Sequence, residues 1–388
     1  MEPVSRRAAL VGTAGVVGAV VVGCAVDKPQ QSTPPTAAGT GAAPGTTQPS
    51  TSPTAPVDTT PRWPLTGKPL DNPDDAKKVV VVVKVPDNKG EHPQAGLNDA
   101  DIVYVQMDGY PAVVGKTSTR LVPVFHTTYA KSVAPVRSMR PVDAPMLSPM
   151  TAIIGSTGAY KWVLDYLAEF KDFLISSKQY MTTKGTGSFS IDPKRVRTLN
   201  GRKYYDRAVA CHPAALAKLA TKFTDGPQQN YLPWAASDAE VSTTNGKPAK
   251  TITVPWKKGD TYSMSYSWSA KDKRYLRSMP WGKHVLDDGE RVWCDNVLVI
   301  RAKQVFGKIN KAGKIWFTGH LEPIHEIINA SGTFYYAAGG KYVQGTWTKG
   351  AVNEVFQFTL EDGTPLKMAP GRTFIELPNL NANVRFKG

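Results

Sequence analysis

Residues 79–85 read Val-Val-Val-Val-Val-Lys-Val, an almost unbroken β-branched run. Such side chains are stiff and suit a pleated sheet, and a strand without polar alternation needs apolar cover on both faces. The run therefore calls for further strands beside it and layers above and below. Strands are expected at 100–107, 118–126 and 151–154. Helical spacing at 158–170 puts Ala159, Trp162, Val163, Tyr166, Leu167 and Phe170 on one stripe. A second helix is expected over 213–223, with Pro213 at its first position and Leu216, Leu219, Ala220 and Phe223 on one face. Strands interleaved with helices predict a mixed α/β domain over 63–225.

A polar, weakly patterned connection at 226–250 follows, and the texture then changes. Strands are expected at 251–256, 261–270, 274–279, 292–305, 314–320, 333–337, 342–348, 355–360 and 373–377. Turn pairs such as Asp288-Gly289, Gly339-Gly340 and Asp362-Gly363 separate them, as in tight hairpins. Residues 251–388 thus predict an antiparallel β domain, and the whole reads as α+β. Alternation such as Tyr262-x-Met264-x-Tyr266-x-Trp268 favours a buried strand face over an aromatic polymer-binding one, and the same choice applies to Tyr335, Tyr336, Tyr342 and Trp347.

The first 62 residues are of another kind. Arg6 and Arg7 precede an apolar stretch too short for a comfortable membrane span, and Val21-Val-Gly-Cys24 closes it. Residues 1–24 read as an export signal ending in a lipobox, with Cys24 as the lipidation site. Ser5-Arg-Arg-Ala-Ala-Leu10 is a partial twin-arginine match. Residues 25–62 collapse to Pro, Thr, Ser, Ala and Gly, which cannot bury enough surface to offset ordering, so a disordered stalk is expected. The expected location is the extracytoplasmic face of the bacterial cell membrane, with the membrane as partner through lipidated Cys24. Outside the cytoplasm Cys211 and Cys294 have two options, a disulfide or two separately buried thiols.

The chain carries a formal charge of +15, with cations spread through the region after residue 63. That attracts anionic partners, and export disfavours nucleic acid among them. The best candidate site is the turn Ser132-Val-Ala-Pro-Val-Arg-Ser-Met-Arg-Pro141, where prolines stiffen a loop bearing Arg137, Ser138 and Arg140. Arg120 joins them, and guanidinium forks suit carboxylate or phosphate. Ser156 and Thr157 lie in a Gly-bounded loop expected to open a helix, where N–H groups also favour an anion. The bland alternative pairs these arginines with Asp101, Asp108 and Asp143. A hydrolytic reading uses Asp108 and His126, with His212 as a further candidate, though sequence alone leaves their convergence open. His320 and His325 are not a metal pair, because Pro323 blocks the helix that would align them. No cofactor signature is present.

Ala100-Asp-Ile-Val-Tyr104, Thr119-Arg120-Leu121, Ala134-Pro-Val-Arg-Ser-Met-Arg-Pro141 and Gly345-Thr-Trp-Thr-Lys349 together resemble the YerB-like bacterial lipoproteins, a family with N- and C-terminal parts of unknown function. The likeness runs from about Trp63 to Pro378 and implies a lipid-anchored two-domain protein without bringing an activity. Val105 stands where such proteins carry an acidic residue, and Asp108-Gly109-Tyr110 replaces an acidic-Gly-Gly segment, so any role of that side chain is either lost here or moved to Asp108. The expected function is binding of an anionic wall component through the arginine loop. The alternatives are a wall-polymer hydrolase using Asp108 and His126 and a scaffold for a membrane or envelope partner.

Overall fold

The computed structural model describes residues 60–108, 118–175, 177–257, 259 and 261–388. The expected export signal and stalk, with Cys24, lie outside them. The valine run forms β1 (Val81–Val83) and β2 (Val85–Pro86), both sealed from solvent. Next come β3 (Ile102–Met107), β4 (Thr119–Phe125), β5 (Ile153–Ser156) and the short β6 (Lys178–Gln179). β1 lies between β4, antiparallel with Val81 opposite Phe125, and β5, parallel with Val81 opposite Ile153. Its place inside the sheet is what the absence of polar alternation demands.

The sheet does not stop at the expected domain boundary. Strand Thr373–Glu376 pairs parallel with β3, Thr373 opposite Ile102, and on its other side pairs parallel with Asn296–Ile300. Ala330–Ala338 and Lys341–Lys349 continue outward as an antiparallel hairpin, and Lys247–Pro248, within the expected connection, closes that edge. Twelve strands from both halves of the folded region share this sheet among the described residues. A second antiparallel sheet runs Gly282–Lys283, Arg274–Met279, Ser263–Ser269, Thr251–Pro255, Arg385–Lys387. Tyr266, Tyr336 and Trp347 are fully buried, while Tyr262, Trp268, Tyr335 and Tyr342 pack against the core, so the aromatic strand faces are core.

Strands dominate and helices are short, so the expected mixed α/β character of 63–225 gives way to a mainly β build. Among the described residues the α-helices are α1 (Asp143–Leu147), α2 (Lys161–Ala168) and α3 (Pro213–Ala217). α3 begins on Pro213 as expected but stops six residues early, because beyond Pro213 only Leu216 of the stripe is buried, over the bare backbone of Gly155. The chain has left the helix before Phe223, which takes a left-handed φ of 56°. The run expected at 292–305 breaks into Trp293–Cys294, Asn296–Ile300 and Lys303–Ile309, and that at 314–320 shrinks to Ile315–Trp316. Cys211 and Cys294 are free thiols, which removes the disulfide option. Cys211 packs beneath β5 at Gly155 and Cys294 sits against Tyr275 in the second sheet, and burial pushes both thiols up.

Candidate functional site

β3 and β4 pair with Gln106 opposite Arg120, and the Asp108 N–H donates to the Ser118 carbonyl at 2.8 Å. This brings Asp108 beside Arg120, whose Nη2 donates to Oδ2 at 2.8 Å. Arg140, from the proline-flanked loop, gives Nη2 to the other Asp108 oxygen at 2.5 Å. Its Nε lies 3.0 Å from Glu322 Oε2, on the strand Glu322–Glu326. Just inside, Lys84 donates to Asp143, which also accepts the Arg140 N–H at 2.8 Å. Gln106 bridges Lys84 and Asp143 when its amide is turned to satisfy both. Three cations thus meet three carboxylates, and every member is buried.

The electrostatics follow from that balance. Burial strips water from Lys84 and outweighs the attraction of Asp143, lowering its pKa to about 8. Burial opposes ionisation of Asp108, yet Arg120 and Arg140 outweigh it and hold the carboxyl below its usual range. Glu322 is pushed up by burial. With each charge answered, the cluster has no surplus positive field to offer an anion.

The expected anion site therefore divides. Arg137 leaves the other two arginines and grips Glu91 at 2.6 and 2.7 Å. The Ser138 carbonyl, not its hydroxyl, is engaged, accepting from Arg120 at 2.5 Å. Ser156 is fully buried with its Oγ accepting the Gly158 N–H, and the Thr157 N–H donates to the Arg137 carbonyl. Neither opens a helix, since α2 begins only at Lys161. The loop is stitched to the sheet edge rather than presented to a ligand. Asp108 is the acid that pairs the arginines, whereas Asp101 turns away to accept the His126 and Thr127 N–H groups.

The Asp108–His126 hydrolase pairing fails on distance. The two lie at opposite ends of β4, roughly 25 Å apart at about 3.3 Å per residue. His126 is buried, its Nε2 2.9 Å from the Ala76 carbonyl oxygen, and burial lowers its pKa to about 4. His320 stacks on Tyr160 and His325 accepts the Met107 N–H at 3.1 Å, so neither faces the other. His212 has a different setting: its Nε2 lies 2.9 Å from Ser190 Oγ and its Nδ1 3.1 Å from the Lys131 carbonyl oxygen.

Sequence reasoning missed a second buried cluster. Atoms of Asp87, His92 and His284 lie within 4.8 Å of one another, a spacing that would suit a metal. Arg277 already fills the cation's place, donating to both Asp87 oxygens, at 2.7 and 3.3 Å, and to His284 Nδ1 at 2.8 Å. His284 then donates from Nε2 to Gln94 Oε1 at 2.9 Å, leaving no lone pair for an ion. The cluster ties the two halves of the chain across 190 residues, a separation no local pattern reveals.

Also missed was an exposed ribbon. Phe189–Ile191 pairs with Val209–Cys211, and beyond it Arg197–Leu199 pairs with Arg202–Tyr204. Every residue from 198 to 206 is exposed, including Leu199, Tyr204 and Tyr205. Between 184 and 207 lie seven cationic side chains and two carboxylates. Asp206 answers Arg197 at 2.7 Å and Asp192 answers Arg195. Among the described residues Lys184, Lys194, Arg202 and Lys203 have no acidic partner, and Arg202 lies over the Tyr204 ring.

Two family models cover most of the folded region. Residues 65–209 match the N-terminal domain, and 252–375 the C-terminal domain, of a protein of unknown function, DUF3048. The chain belongs to the DUF3048 family. The fold agrees with the crystal structure of YerB protein from Bacillus subtilis, at TM-score 0.63 and 18% identity over 84% of this chain and 99% of that one. Among curated proteins none matches. The two DUF3048 regions are named as separate domains, yet in this member their strands share one sheet.

Proposed function

We propose that this DUF3048 protein is a lipid-anchored protein of the extracytoplasmic face of the bacterial cell membrane, binding an anionic cell-wall polymer through the 184–207 ribbon. The observation that carries the reading is the set of cations at Lys184, Lys194, Arg202 and Lys203 that no carboxylate among the described residues answers, beside exposed Tyr204 and Tyr205. Cations attract phosphate or carboxylate on the polymer, and the rings offer flat faces to its sugars. The lipobox cysteine and the Pro/Thr/Ser-rich stretch support tethering at a distance from the bilayer. The arginine loop, neutralised internally, takes the part of a scaffold.

The reading is tested by retention of the detergent-solubilised full-length protein on immobilised wall polymer over a salt gradient. Binding weakens as salt screens exposed charge. The triple variant Lys194→Ala/Arg202→Ala/Lys203→Ala is expected to bind about tenfold more weakly or worse at about 0.1 M salt. Retention equal to wild type would reject the ribbon as the binding surface.

A further inference from the structure

We propose that Ser190 and His212 are the catalytic dyad of an esterase, acting on ester groups carried by the anionic polymer. The choice of substrate rests on the binding reading above, while the chemistry stands on its own geometry. Ser190 pairs across the ribbon with Ala210, and His212 lies two residues beyond Ala210, so all three share one face, on which Ser190 is exposed, His212 half-buried and Ala210 buried. Phe189 and Cys211 turn the other way, towards Gly155. The dyad thus sits at the base of the ribbon whose far strand pair carries Arg202 and Lys203.

The proton arrangement follows from the partners. A backbone carbonyl only accepts, so His212 Nδ1, 3.1 Å from the Lys131 oxygen, carries the ring proton of the neutral imidazole. Nε2 then presents its lone pair, and Ser190 Oγ donates to it at 2.9 Å. A serine held in this way is ready to lose its proton as it attacks. A substrate reaches the hydroxyl from the solvent side, where Ser190 is exposed, and not from the side of its cross-strand neighbour Ala210, which is buried.

In the first step Ser190 Oγ bonds to the ester carbonyl carbon while His212 Nε2 takes the hydroxyl proton. The C–O bond to the alcohol then breaks, and the leaving oxygen receives that proton. Water, giving a proton to His212, next attacks the acyl-serine. The carboxylic acid departs, Ser190 recovers its proton, and no outside reductant or oxidant is needed. A backbone carbonyl supports the transient imidazolium less than a carboxylate does, which suits an alcohol leaving group and not an amine.

The test uses full-length protein in detergent, a fluorophosphonate probe with peptide mapping by mass spectrometry, and hydrolysis of p-nitrophenyl acetate. The expected result is an adduct on Ser190, none at that position in Ser190→Ala, and labelling slowed about 100-fold or more in His212→Gln. Ester hydrolysis should fall to the buffer rate in Ser190→Ala. Thermal midpoints matching wild type exclude misfolding as the cause. Wild type without an adduct on Ser190, or His212→Gln labelled at the wild-type rate, overturns the proposal. Polymer retention is measured on the same samples, and the small probes do not depend on it, so a failure of binding and a failure of the nucleophile are read separately.

Discussion

His325 is enclosed, its ring accepting the Met107 N–H with the Lys84 ammonium close by. Burial first, and that cation second, lower its pKa to about 3, against about 6.5 in an unfolded chain. Between those values the unfolded state binds the extra proton, so this residue makes stability fall as the pH drops from about 6.5 towards 3. His126, lowered to about 4, acts in the same direction. Glu376, raised by burial to about 7, acts in the opposite sense: its contribution is whole below about 4.5 and is lost as the pH climbs through 7. His325→Gln keeps an acceptor for the Met107 N–H and removes one titrating group. Urea unfolding at pH 4.5 and 6 should show the pH slope of stability reduced by about 1.4 kcal/mol per pH unit relative to wild type. Equal slopes would mean that His325 is not held neutral. The histidine's role could not be read in advance, since the groups that surround it come from β3 and from Lys84, far away in the chain. Asp108 was legible as a partner for the arginines because the chain repeats them at close spacing. Glu322 and Glu91 were not, since each reaches its arginine from a distant element.

Strand patterns survived folding where one face meets the core. Arg274–Met279 keeps its expected bounds because half-buried and buried positions alternate along it. The apolar stripe at 213–223 promised more helix than formed, as only one turn found cover. The ribbon at 189–207 went unread for the opposite reason: with little of it buried, no periodicity marks it as paired strands. The Gly345-Thr-Trp-Thr-Lys349 motif has a packing explanation. A Cβ on Gly345 would run into the Thr359 carbonyl and lie 2.8 Å from Leu360 Cα, in the neighbouring strand Gln357–Leu360. Trp347 is fully buried with its indole N–H donated to the Arg301 carbonyl at 3.0 Å, and Lys349 holds the carbonyls of Ala351 and Val352. Gly345→Ala is therefore expected to push the strands apart and to cost about 1–3 kcal/mol, measured as a lowered urea midpoint. An unchanged midpoint would show that the pair can part without loss.

At the scale of the molecule, the sequence change near residue 250 was legible, but the sharing of one sheet across it was not. Strand pairing between residues some 270 positions apart leaves no mark in local composition. The buried Asp87–Arg277 pair and the β3 to Thr373–Glu376 ladder both bind one half to the other. The folded body should accordingly melt in one transition, and fragments 60–225 and 226–388, made separately, should lack the dispersed proton spectra of folded domains. A fragment giving such a spectrum alone would contradict this interdependence. The position of Thr373–Glu376 also orders events in time. It fills the gap between Asn296–Ile300 and β3, so the middle of the sheet waits for a strand some 270 residues after β3. A chain made N-terminus first must then hold β3 with a bare edge until Thr373–Glu376 appears, and an unpaired strand edge is an invitation to mispairing for all of that interval.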